Sequence, residues 1–199
     1  MTHTTEHAVS PVVGVMLMLV VTIIIAAIVS AFAGGSVSGV QKAPQAQIGA
    51  KYSISTGMQI FHNGGDALPT NTLVFTIRDG PTFGAGVDQL TGQVLDKHSI
   101  FNAKGNPMQF TDGGYNFSSF NPGDTLYIPA ENTTCNIFQP GIAPSGTYNA
   151  DGTWVFNAKK ATLWALCIRN ADNVGKIFTL EVTDTKGNMI SRTDVKISM

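Results

Sequence analysis

VVGVMLMLVVTIIIAAIVSAFA, residues Val12 to Ala33, is the stretch on which the reading of this chain turns. Only Thr22 and Ser30 interrupt its apolar run, and no charged residue lies between Ala8 and Gln41. At ~1.5 Å per residue this run makes a helix of roughly 33 Å, about the thickness of a bilayer's hydrocarbon layer. Both hydroxyls can be returned to a helix carbonyl, so neither is costly in an apolar setting. Outward from the run, Ser10-Pro11 reads as a helix start, a capping hydroxyl followed by a residue with no N–H to leave unpaired. Gly34-Gly35 reads as its stop. With no polar face, the segment is not an amphipathic surface helix; it requires lipid or an apolar core on every side. A secretory signal peptide is the first rival. Its apolar core spans only ~7–15 residues behind a basic leader, whereas Met1 to His7 contains neither Lys nor Arg. A permanent signal anchor is the second rival. Charges flanking the run are too few to set its orientation: His3 and His7 against Glu6, with Lys42 beyond the far end.

Ala8-Val9-Ser10-Pro11-Val12-Val13-Gly14-Val15-Met16-Leu17-Met18, followed by an Ile-, Val- and Ala-rich run to Phe32-Ala33-Gly34, resembles the N-terminal domain of archaeal type IV pilins. The resemblance covers residues 8 to 35. It implies a leader removed by a prepilin peptidase between Ala8 and Val9, and a helix held in the membrane until an assembly ATPase and its membrane platform draw it into a filament of identical subunits. On this resemblance Pro11, Val12, Gly14, Leu17, Val20, Ile24, Ala27 and Ala31 are expected in the filament core. His62-x-Gly64-Gly65-Asp66-Ala67-Leu68, Pro122-Gly123-Asp124-Thr125-Leu126 and Val182-Thr183-Asp184-Thr185 look like segments that recur in pilin heads. Two departures stand out. His7 occupies the place before the cut where a basic residue is often found. Val13 occupies the fifth mature position, where bacterial type IV pilins carry a glutamate, in keeping with the archaeal branch.

Past the helix the composition changes. Residues 36–47 read as a small-residue and polar linker with Gly39 and Pro44. Beyond it, alternating runs appear at Gln59–His62, Leu73–Ile77, Asp124–Ile128, Trp154–Asn157, Thr162–Arg169, Lys176–Thr183 and Met189–Ile197. In Phe178 to Thr183 one face is apolar and the other polar, as in a half-buried strand. Asp184-Thr185-Lys186-Gly187-Asn188 then predicts a hairpin turn with Gly187 at positive φ. The expected class is α+β: a long apolar helix, then an antiparallel head of sandwich or barrel-like form over residues 48–199. The expected division is leader 1–8, helix 9–35, linker 36–47, head 48–199. Gly80–Gly86 and Ser99–Tyr115 are expected as surface loops.

Cys135 and Cys167 are the only cysteines. In an exported head they can pair, closing a loop of ~32 residues worth ~3–4 kcal/mol; a buried free thiol at Cys167, within Trp164–Ile168, is the other reading. Asn116-Phe117-Ser118 and Asn132-Thr133-Thr134 are glycan acceptor sequons. The charged fraction is 13% and the net charge −1, which gives no basic stripe for nucleic acid. No Gly-x-Ser-x-Gly, phosphate loop or dinucleotide fingerprint occurs. His62 with Asp66 is two ligands on a glycine turn, His98 has no recognisable partner, and Asp66, Asp79, Asp112, Asp124 and Asp184 read as turn residues rather than acids or calcium ligands. No catalytic residue, metal or cofactor is expected. The functional expectation is a pilin whose precursor is in the membrane and whose filament lies outside the cell, used in surface adhesion. A signal-anchored monomeric binding protein and an archaellin-like motility subunit are the alternatives, with an exported enzyme further off.

Overall fold

A computed structural model describes residues 11–35, 44–87, 92–142, 146–148, 150, 154–156 and 164–199. The leader, Ser10, Val9 and most of the linker lie outside the described residues. The chain divides into two compact units, with the boundary between Lys42 and Ala43. The first contains helix α1, described over Pro11–Gly35; the residues that flank it lie outside the described residues.

The second unit is a mostly antiparallel, curled sheet, so the chain is α+β. Its strands are β1 (Ala46–Ser53), β2 (Gly57–Gly65), β3 (Leu68–Pro69), β4 (Leu73–Asp79), β5 (Gln93–Val94), β6 (Phe101–Asn102), β7 (Ser119–Phe120), β8 (Thr125–Pro129), β9 (Gly146–Tyr148), β10 (Trp154–Phe156), β11 (Ile177–Asp184) and β12 (Met189–Ser198). Eight of them form one sheet in the order β5-β4-β11-β12-β1-β2-β8-β6. Every pairing in it is antiparallel except β1 with β12, where Tyr52 lies opposite Ile197. Two-residue strands form both edges, leaving little ladder open to a stray strand. A short helix α2, Cys135–Phe138, follows β8.

One apolar cluster fills the curl. Tyr52 of β1 stacks on Phe138 of α2, centroids 6.1 Å apart, and meets Phe178 of β11 edge-on at 5.7 Å. Met58, Ile60, Phe75, Ile77, Phe120 and Leu180 complete its middle, all buried. The β11–β12 hairpin turns where the sequence predicts: Gly187 has φ 86°, and the Asp184 carboxylate accepts from the N–H groups of Lys186 and Asn188.

Three expectations change. Residues 164–169 were read within a strand, but they run through turns. The Asn173 side-chain amide donates to the carbonyls of Ala165 and Cys167 at 2.9 and 2.8 Å, taking acceptors that a ladder would have used. β11 is not half-buried: Thr179 and Glu181 are 4% and 8% exposed. Glu181 is sheltered because Arg78 binds it at 2.8 Å and Arg192 approaches at 3.8 Å, while Thr179 donates to Asp194. Finally, β1 begins at Ala46, inside the stretch read as linker.

Gly57 opens β2 at φ +93°, and a Cβ there would lie 2.1 Å from the carbonyl oxygen of Ile128 on β8. Gly57→Ala is expected to lower stability by about 2 kcal/mol or more, roughly 4–8 °C in thermal midpoint for a domain this size. A melt of the detergent-solubilised chain followed by near-UV circular dichroism measures it; an unchanged midpoint would contradict the register at this hairpin.

Candidate functional site

In α1 the decisive fact is that the described helix presents an apolar surface on every side. Fifteen large apolar side chains between Val12 and Phe32 are exposed, from 47% at Val13 and Val21 to 73% at Met18. The span Val12–Phe32 is long and apolar enough to cross a membrane. Thr22 donates its hydroxyl to the Leu19 carbonyl at 2.9 Å, which satisfies the donor within the helix. No acidic residue stands in the first turn and no basic one in the last. Leu17, Val20, Ile24, Ala27 and Ala31 recur at alternating spacings of three and four, so they share one side of the helix. Among the described residues no heavy atom lies within 4 Å of where a Cβ on Gly14 would stand. Such a surface binds apolar matter and performs no chemistry.

The head contains the residues read for catalysis or metal. His62 is buried on β2; its Nε2 lies 3.0 Å from the Asp66 carbonyl oxygen, and its ring meets Phe120 edge-on. The Asp66 carboxylate accepts from the N–H of Gln45, and the Asp66 N–H donates to the Gln45 carbonyl. The glycine turn thus fastens the strand entering the head. His62 N–H also donates to the Asp124 carbonyl, and Gly123 N–H donates to the His62 carbonyl. Two segments singled out in the sequence, His62–Leu68 and Pro122–Leu126, therefore lie against each other. No group of three His, Cys, Asp or Glu side chains converges among the described residues.

Two readings need correction. His98 does have partners: its Nδ1 lies 2.6 Å from the Asp96 carboxylate and its Nε2 3.0 Å from the Phe110 carbonyl. The hydrogen bond to Asp96 raises the pKa of this imidazole. Asp79 is not a turn residue; it is fully buried at the end of β4. Burial pushes its carboxyl up to about 7, against the opposing effects of the Gln139 amide, which donates to it at 3.1 Å, and of the Lys176 charge. The same Gln139 accepts from the Ile168 N–H at 2.7 Å. A buried amide thereby ties the segment carrying Cys167 to the sheet. Cys135 and Cys167 lie next to each other with their Cα atoms 6.0 Å apart, a separation that a disulfide spans.

The two sequons differ. Asn116 Nδ2, the atom a glycan would occupy, donates to the Pro107 carbonyl at 2.7 Å. Asn132 stands half-buried in a short helical turn, Ala130–Thr133. The cleavage residues Ala8 and Val9 lie outside the described residues.

Residues 7–48 match the family model described as archaeal type IV pilin, N-terminal. No curated protein matches the chain.

Asp79 gives a pH signature. Its folded pKa stands above the ordinary carboxylate value of 3.8. Its contribution to stability is therefore complete below about pH 4 and declines as pH rises to about 7, because the folded state must then ionise a buried carboxyl. Asp79→Asn is expected to flatten the fall in thermal midpoint between pH 4 and pH 7. An equal slope in variant and parent would mean that another group titrates there.

Proposed function

We propose that this chain polymerises through α1 into an extracellular filament that attaches cells to surfaces; the reading is supported by the match of residues 7–48 to the archaeal type IV pilin N-terminal model, a family of structural subunits. The single observation behind this reading is the helix whose whole circumference is apolar and uncovered. Covering it is worth on the order of tens of kcal/mol, since each buried Val, Leu, Ile or Phe contributes ~1.5–3 kcal/mol. Lipid tails and the apolar helices of sibling subunits supply that cover about equally well. Moving a subunit from membrane to filament exchanges one apolar solvent for another, so an ATP-driven platform can extract it step by step. Dispersion between Val, Leu and Ile side chains holds the bundle, and Gly14, Ala26, Ala27, Ala31 and Ala33 let helices approach closely.

On this reading a prepilin peptidase cuts between Ala8 and Val9, the precursor stays in the membrane by α1, and the head faces the oxidising exterior, where Cys135 and Cys167 form a disulfide. The rival is a monomeric surface binding protein anchored for good by the same helix. Sequencing the mature N-terminus separates them: a start at Val9 is expected, and an intact Met1 would favour the anchor. Ile24→Asp is expected to abolish filaments seen by electron microscopy of sheared surface material, because the bundle offers the carboxylate no partner. Normal filaments from that variant would overturn the packing role of α1. Thiol labelling of the mature chain should stay negligible until a reductant is added, with reduction costing ~3–4 kcal/mol of head stability.

A further inference from the structure

A cleft of about 480 Å³ opens beside β8 and β6, within the size range of small-ligand sites. Its floor is apolar, formed by the buried side chains of Phe120 and Leu126. Its wall is a set of amides and a ring. Asn102 Oδ1 accepts from the N–H groups of Lys104 and Asn106 at 2.9 and 3.0 Å, which fixes its amide and leaves Nδ2 as a donor. Across the cleft, Asp124 Oδ2 is held by the N–H and amide of Asn121 at 2.8 and 3.2 Å, leaving Oδ1 to accept. Among the described residues the Asn106 amide, the Lys104 ammonium and the Tyr127 hydroxyl make no hydrogen bond or ion pair. The Tyr127 side chain, on the exposed side of β8, is 36% accessible.

These features select a ligand class. Amides and a carboxylate offer donors and acceptors side by side, as a polyol requires, because each hydroxyl both donates and accepts. An exposed aromatic ring offers a flat apolar surface for C–H groups. A metal ion would need converging acidic, His or Cys side chains, and no such group exists among the described residues. A peptide strand would need a ladder, but β6, the edge strand here, has two residues, and Phe101 already pairs with Pro107.

We propose that this cleft binds a short neutral saccharide, with its hydroxyls bonded by Asn102, Asn106 and Asp124 and a C–H face against Tyr127. The inference rests on the attachment role proposed above and names the class of surface ligand. Asn102 in β6, Asn106 in the turn after it, and Asn121 and Asp124 in the loop before β8 are brought together by the β6–β8 pairing, so much of the ordering cost of binding is already met by the fold.

The test uses the full mature chain in detergent micelles against immobilised polymers of mannose, galactose and N-acetylglucosamine. The parent is expected to bind at least one of the three and to be displaced by the free sugar. Asn106→Ala and Tyr127→Ala are each expected to weaken that binding about tenfold or more, with thermal midpoints unchanged. Lys196→Ala, on the exposed face of β12, should bind as the parent does. Absence of binding to all three polymers, or undiminished binding by both cleft variants, overturns the proposal. Electron microscopy of the same cells keeps the two readings apart. Filaments that do not bind sugar defeat the cleft alone, whereas sugar binding by a chain that forms no filaments defeats the polymerisation role alone.

Discussion

The physical constraint beneath everything else is an unmet need for cover along one helix. A soluble protein buries each apolar helix face, and the large apolar side chains of the described helix between Val12 and Phe32 are exposed. Water is therefore a poor solvent for the helix at every stage of the protein's life. On the proposed reading that cover comes first from lipid and then from sibling subunits, so a precursor in the membrane and a polymer outside it are two answers to one energetic problem; the match to the archaeal type IV pilin N-terminal model falls on the segment that poses it.

The head solves a different problem, that of standing in water without offering its edges. Both edge strands have two residues, and the long strands β1, β2, β11 and β12 occupy the interior of the sheet. Buried polar groups are placed where they tie irregular segments to the sheet. Gln139 joins Asp79 at the end of β4 to the backbone of Ile168, and Asn173 holds the carbonyls of Ala165 and Cys167. These bonds fall at the segment carrying Cys167, so on the proposed reading the disulfide to Cys135 would reinforce the stretch that the polar ties already hold.

What the sequence discloses follows from how local each signal is. α1 is written in consecutive apolar residues, and its existence was legible. The β11–β12 hairpin was legible because Asp184 and Gly187 carry its turn chemistry in five residues. β1 was harder to see. Its alternation runs through Ala46, Ile48, Ala50 and Tyr52 against Gly49 and Lys51, a faint pattern, and its parallel partner β12 lies about 145 residues away. Thr162–Arg169 misled for the opposite reason: apolar alternation was present, but Asn170 and Asn173 downstream claim the backbone for turns. The apolar site in α1 could be read from the sequence. The polar cleft could not, since Asn102, Asn106 and Asp124 meet only after β6 and β8 pair.

The stripe Leu17, Val20, Ile24, Ala27, Ala31 adds a further step on the polymer reading. Spacings of three and four keep a seam facing its neighbour when helices cross at a shallow angle. Along this seam side-chain bulk falls from Leu, Val and Ile to two alanines. Large side chains hold neighbouring axes apart by their own width, while alanines let backbones close in. A bundle built on such seams is wide toward the Pro11 end and narrow toward the Gly35 end. Bulk inserted at Ala27 or Ala31 would then meet backbone, whereas the same change at Leu17 would meet side chains that can rearrange. The gradient gives the helix a direction that its apolar composition alone does not supply, and with no charged side chain between Pro11 and Gly35, side-chain shape would set the register along this seam.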